Sequence, residues 1–291
     1  MPLQITLLGT GGALCDWRTN YNTNAVLHTL EGPFLIDCGV TAPQSLRELF
    51  IPPWELVGVF LTHMHSDHVG GLEQLIWERF YTGPTGPGWK DTPIYGSNAM
   101  RGPIRRALFD AIDTMSRRDG ITQAGGYELL VKFNLIDPQG SGVTIGGSHL
   151  RAIPTHHITG VDVDKPTCGL LIREAGVSTG GIYWSSDCMF DSEVGSKFPD
   201  VDVILHDCTF MPKFPGTVHT HYQDLKVLPP LVKKKIILTH HTAVPKGVDI
   251  RADGFMWASS RHETISVLQD GIVVSDETGK PLIFNPRGEN R

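Results

Sequence analysis

Six consecutive residues, His63-Met-His65-Ser-Asp67-His68, set three imidazoles and a carboxylate directly after the apolar run Val57–Leu61. In extended backbone alternate side chains share a face, so His63 and His65 point the same way while His68 can swing toward a neighbouring site. The spacing therefore predicts two adjacent half-sites for divalent ions. Neutral imidazole and carboxylate are ligands that zinc takes in hydrolytic centres, and manganese and iron(II) accept them too. A chain with this segment must fold so that one strand exit becomes a ligand platform and further ligands arrive from elsewhere.

Those further ligands can be located. Of 13 histidines, ten fall in five short clusters, mostly just past strand-like runs: His63/His65/His68, His156-His157, His206-Asp207, His219-Thr-His221 and His240-His241. Open sheets gather functional groups on loops at one edge, so ligands distant in sequence can converge. Either His156 or His157 supplies a third histidine to the first metal. Asp187, at the end of Tyr183-Trp-Ser-Ser-Asp187, is placed to bridge both cations, and His240, after Ile236-Ile-Leu-Thr239, is a last ligand beside Asp67 and His68. His206-Asp207 and His219 form a candidate proton-handling pair, since a carboxylate that orients an imidazole suits proton transfer. His206 reads equally well as a buried, satisfied histidine. Cys188 and Cys208 each follow a candidate Asp but read as small buried thiols.

Composition narrows the remainder. Of 291 residues 40% are apolar and 19% charged, with 32 glycines and 20 prolines, which suits a loop-rich β scaffold. No repeat or linker divides the chain, so residues 1–291 are expected to form one domain. A net charge of -6 argues against binding long nucleic acid through a broad basic surface, but allows a small anionic substrate drawn in by metal ions. Five cysteines without a Cys-x-x-Cys pair imply the reducing cytoplasm, and no leader or membrane-spanning stretch is evident.

Local patterns predict a strand from Ile5 to Gly9 and a hairpin across Glu31-Gly32. A short helix is expected over 44–50, a buried strand over 57–61 and a helix over 72–80. A second amphipathic helix is expected over 104–115 with Ile104, Leu108, Ala111, Ile112 and Met115 on its apolar stripe. Mostly strands follow from Leu129, with a helix over 225–231 and a terminal hairpin over 272–284. Trp77, Phe80, Tyr81 and Trp89 lie near the ligands, where an aromatic can stack on a base or pack in the core.

The ordered motifs resemble the metallo-β-lactamase superfamily over nearly the whole length. Within it Gly9-Thr-Gly11, Phe34-Leu-Ile-Asp-Cys-Gly39, Leu61-Thr-His-Met-His-Ser-Asp-His68, Ser185-Ser-Asp187, His206-Asp-Cys-Thr-Phe210 and Leu238-Thr-His240 are similar to the ribonuclease Z and small phosphodiesterase branch. The resemblance implies an α/β (α+β) chain folded as a four-layer αββα sandwich with a dinuclear zinc site at one edge. It assigns His63, His65 and His157 to one zinc and Asp67, His68 and His240 to the other, with Asp187 between them. Asp67, Asp207 and His219 become the catalytic residues, the last two acting on the leaving group. Asp207 stands where a glutamate is usual, His219-Thr-His221-Tyr222 departs from the tRNA-processing pattern, and a lysine-rich, glycine-rich tRNA-gripping arm has no counterpart. The implied activity is hydrolysis of a small or cyclic nucleotide phosphodiester. Lactonase, thioesterase or β-lactamase-type hydrolysis and ribonuclease Z-like cleavage are the alternatives, and a homodimer is expected by analogy.

Overall fold

Strand Ala25–Thr29 pairs antiparallel with Leu3–Leu7 on one side and Gly32–Ile36 on the other, and its side chains alternate between two cores. Leu27, Phe34, Ile36 and Phe60 face one hydrophobic cluster, whereas Val26, Leu35 and Val59 face another, as the two-residue period of a strand requires. The computed structural model describes residues 2–84, 91–116, 122–123, 125–158, 166–258, 261–268, 271–275 and 281–284.

Among the described residues the larger sheet orders nine strands as Pro281–Phe284, Gly271–Ser275, Thr264–Leu268, Leu3–Leu7, Ala25–Thr29, Gly32–Ile36, Gly58–Phe60, Thr92–Gly96 and Val131–Leu135. The smaller orders six as Ile236–Thr239, Val203–Asp207, Ile182–Trp184, Thr167–Glu174, Ser148–Thr155 and Val143–Ile145. Ile5, Leu27, Phe34 and Ile36 of the first sheet share a buried cluster with Leu150, Leu170, Trp184 and Ile237 of the second. Helices Ala42–Glu48, Leu72–Thr82 and Asn98–Ile112 cover the outer face of the first sheet, and shorter helices with surrounding loops cover that of the second. The result is the αββα sandwich.

Three elements differ from the sequence pattern. The expected strand from Leu129 begins instead with helix Gly126–Leu130, and the strand starts at Val131. Gly125, at φ +87°, turns the chain there, and Tyr127 and Leu130 bury at i and i+3, a helical spacing that the apolar run concealed. The helix expected over 225–231 is two short ones, Tyr222–Leu225 and Pro230–Lys233, because Pro229 and Pro230 lack the N–H groups that would join them. The helix expected over 104–115 runs from Asn98 to Ile112, with Ala111 exposed outside the stripe of Ile104, Leu108 and Ile112, and Met115 belongs instead to the two-residue strand Met115–Ser116. The tip of the terminal hairpin and Trp89 fall outside the described residues. Among these residues no helix is long and apolar enough to cross a membrane.

Candidate metal centre

Parallel pairing of Gly32–Ile36 with Gly58–Phe60, and of Val203–Asp207 with both Ile182–Trp184 and Ile236–Thr239, brings several strand exits to one edge. Beyond Phe60 the chain runs extended through His63 and His65, then enters a single helical turn, Ser66–Val69, that redirects Asp67 and His68. This turn docks on the neighbouring exit: Cys38 N–H donates to the His68 carbonyl at 2.7 Å, and Asn24 Nδ2 donates to the Asp67 carbonyl at 3.0 Å. A Cβ at Gly39 would lie 1.9 Å from that Asp67 oxygen, so only glycine permits the approach.

Three groups of ligating atoms result, the atoms of each within 4.8 Å of one another: His63, His65, His157 and Asp187; Asp67, His68, Asp187 and His240; and Asp207, His219 and His240. Asp187 joins the first two, with Oδ2 3.6 Å from His63 Nε2, 3.7 Å from His157 Nε2 and 3.2 Å from His240 Nε2, and Oδ1 3.2 Å from His68 Nε2. His156, the other candidate in its pair, is exposed and outside these groups. His219 Nδ1 stands 3.0 Å from Asp207 Oδ2, and its ring stacks on His240 with centroids 4.7 Å apart. His221 lies elsewhere, between the Met211 carbonyl and Thr217 Oγ1. His206 is buried with Nδ1 donating to the Asp207 carbonyl at 2.7 Å, the satisfied histidine of the two readings. Phe80 is core, Trp77 packs against it, and Tyr81 stacks on Trp77.

The imidazoles are held from behind. His157 Nδ1–H donates to the Val218 carbonyl at 3.0 Å, leaving Nε2 as a lone-pair donor toward Asp187. His68 Nδ1–H donates at 2.7 Å to Asp37 Oδ2, which also accepts from Thr62 Oγ1 at 2.8 Å while Asp37 Oδ1 accepts from Thr62 N–H at 2.8 Å. Asp37 is the contributor that the residue-by-residue reading passed over. Its signal was an acid closing the apolar strand Phe34-Leu-Ile36, where a buried carboxylate needs a reason. Such hydrogen bonds fix the tautomer and aim of a ligating ring.

The donor set fits divalent cations. His68 Nε2 and Asp187 Oδ1 face each other, buried, with no hydrogen-bond partner, and Asp207 Oδ1 is equally unpartnered. Asp37, Asp67, Asp187 and Asp207 are four buried carboxylates in one neighbourhood, a concentration of charge that demands positive compensation. Without cations protons supply it. Burial pulls the His240 imidazole down, but the carboxylates of Asp187, Asp207 and Asp67 overcome this and lift it to about 10. Burial likewise opposes charge on His68, and Asp187 and Asp37 raise it well above its ordinary value. His63, where burial dominates, is driven well below. For His219 burial is outweighed by the bond to Asp207, which leaves it raised.

Comparison with known proteins accords with this architecture. Residues 3–265 match the family described as Anti-Pycsar protein Apyc1. The Anti-Pycsar protein Apyc1 of Paenibacillus xerothermodurans is 30% identical over 248 residues, covering 83% of this chain and 88% of that protein. Among solved structures, the metallo-β-lactamase fold protein YhfI from Bacillus subtilis superposes with a TM-score of 0.69 at 16% identity, over 92% of this chain and 100% of its own. Human tRNase Z, short form, gives 0.63 at 21% identity over 91% and 99%. The chain belongs to the Anti-Pycsar Apyc1 family and is a metal-dependent hydrolase on a metallo-β-lactamase fold.

Proposed function

We propose that this protein is a dinuclear zinc phosphodiesterase whose substrate is a small or cyclic nucleotide. The observation that carries the reading is the Asp207–His219 pair set beside two ligand groups that share Asp187. His63, His65 and His157 would hold one cation, Asp67, His68 and His240 the other, with Asp187 between. Bound there, the cation pair supplies Lewis acidity to phosphoryl oxygens and lowers the pKa of water toward about 7.

The chain's own groups do the remaining work. Asp67 orients the attacking water, whose oxygen bonds to phosphorus as the opposite P–O bond breaks. His219, partly open to solvent, passes a proton to the departing oxygen. Asp207 holds that imidazole in place and favours its protonated form before transfer, so loss of Asp207 removes the aim and lowers the fraction of His219 that carries a proton to give. The reading has the protein act in the cytoplasm, as a homodimer, on a small anionic molecule rather than long nucleic acid. The net charge of -6 and five free cysteines are in keeping with that.

A panel of cyclic mononucleotides, linear dinucleotides, pre-tRNA, a lactone and a cephalosporin, assayed with zinc and with manganese, tests the reading. Turnover of the cyclic nucleotides is expected; cleavage confined to the lactone or the cephalosporin overturns it.

A further inference from the structure

Thr220 is fully buried, although the histidine before it opens partly to solvent. A buried hydroxyl without a hydrogen-bond partner costs the fold more than an alkyl group of the same shape, so its partners show what it is for. Thr220 Oγ1–H donates to the Cys188 carbonyl at 2.9 Å. The Cys188 thiol lies 3.8 Å from the same oxygen. Burial, reinforced by the Asp207 charge, pushes that thiol up, so it stays protonated and can donate weakly to the hydroxyl. On its other side Thr220 is held through the backbone, where its carbonyl receives Thr209 N–H at 2.7 Å.

These bonds close a ring around the proton-handling pair. His219 Nδ1–H donates to Asp207 Oδ2 at 3.0 Å, and Cys188 N–H donates to the same oxygen at 2.9 Å. The Cys188 carbonyl receives the Thr220 hydroxyl, and the peptide bond leads back to His219. Asp207 and Thr220 thus grip the N–H and the C=O of one residue, and that residue follows Asp187, the carboxylate shared by two ligand groups. His219 Nδ1 stands 4.0 Å from Asp187 Oδ2. The place of His219 is therefore set twice, by a carboxylate on its ring and by a hydroxyl on the next residue of its backbone. Without the hydroxyl the ring keeps Asp207, but the chain beneath it loses its side-chain tie to the Asp187 segment.

Resting on the phosphodiesterase reading above, we propose that Thr220 is a positioning residue whose hydroxyl fixes the backbone of the proton-donating His219 against the segment that carries Asp187. Thr220 touches no reacting atom. A displacement of about 1 Å in a group that must meet a reacting atom can cost about 10²-fold in rate, and here the loss falls on the step that needs the proton. When the P–O bond to a sugar breaks, its electron pair stays on the departing oxygen, which takes the proton from His219. p-Nitrophenolate leaves as a stable anion and takes none.

The test measures kcat and KM of the metal-loaded protein on a 3′,5′-cyclic nucleotide and on bis(p-nitrophenyl) phosphate. Thr220→Val keeps the shape of the side chain and removes the hydroxyl. Its kcat for the cyclic nucleotide should fall about 10- to 100-fold, while kcat for bis(p-nitrophenyl) phosphate and the bound metal stay within about twofold of wild type. Thr220→Ser, which keeps the hydroxyl, should restore the cyclic-nucleotide rate, and Thr220→Ala should show the same split as valine if the valine variant does not fold. An unchanged rate without the hydroxyl, an equal fall on both esters, or a serine variant as slow as alanine overturns the assignment and leaves the phosphodiesterase reading intact. Wild-type protein that hydrolyses neither phosphodiester, yet cleaves a lactone, overturns both.

Discussion

Asp187 touches both ligand groups, and its removal should be felt at both. Asp187→Ala is expected to abolish turnover and to lower the bound metal, read by elemental analysis after gel filtration; full occupancy with retained activity would contradict the bridging role. Asp37 makes a subtler case, since it contacts His68 from behind. Asp37→Ala should weaken one of two metal-binding steps by about 10- to 100-fold, the usual effect of losing the group that orients a ligating histidine. Isothermal titration would show whether one step moves or none. Stripped of cations, the protein should also carry a pH signature. The folded-state pKa of His240, about 10, exceeds its ordinary 6.5, so the stability it contributes is complete below about 6.5 and is lost as pH climbs toward 10. Melting temperatures of chelator-treated protein should decline across that interval, and a flat profile would refute the charge-compensation account. The ligating residues were legible because each closes an apolar run. Asp37 was harder to assign, because its role depends on Thr62 and His68, which only the folded chain brings to it.

At the scale of elements, three strand exits share a backbone device. Asp37, Ser186 and His240 have φ of 60°, 57° and 59°, a left-handed conformation disfavoured for residues with a Cβ. It turns the chain abruptly as the strand ends and throws the adjoining side chains into the centre. Ser186 is the one of the three without a contact to a ligating group, and its buried hydroxyl has no partner. Ser186→Gly should therefore stabilise the fold by about 1 kcal/mol, visible as a rise of a few degrees in Tm; a fall would show that the serine contributes more than its backbone strain costs. None of these turns announces itself by glycine, so the pattern of residues could place the strands but not the angle at which each ends. Proline was more informative. Pro229-Pro230 divides the helix expected over 225–231, and the rule that broke it was available in the chain itself. The helix at Gly126–Leu130 was hidden, because a five-residue stretch gives too little period to separate helix from strand.

Across the whole molecule, the two sheets divide the ligands. His63, His65, Asp67 and His68 follow a strand of the larger sheet, whereas His157, Asp187 and His240 follow strands of the smaller. A cation that binds only the folded state stabilises it by mass action, about 2.7 kcal/mol at a hundredfold excess over Kd. Chelation should consequently lower the Tm of the wild type by several degrees, measured by calorimetry, and should leave Asp187→Ala nearly unmoved. An equal drop in both would mean that the ions lie elsewhere. The layered architecture was implied by the family resemblance that the ordered motifs carry, but the assignment of each ligand to a sheet was not legible, since strand order is a property of pairing. Because neither half owns a complete ligand group, metals bound there would work as rivets through the seam. A separated half could not hold them, and any force that prises the sandwich open at this edge must first eject its ions.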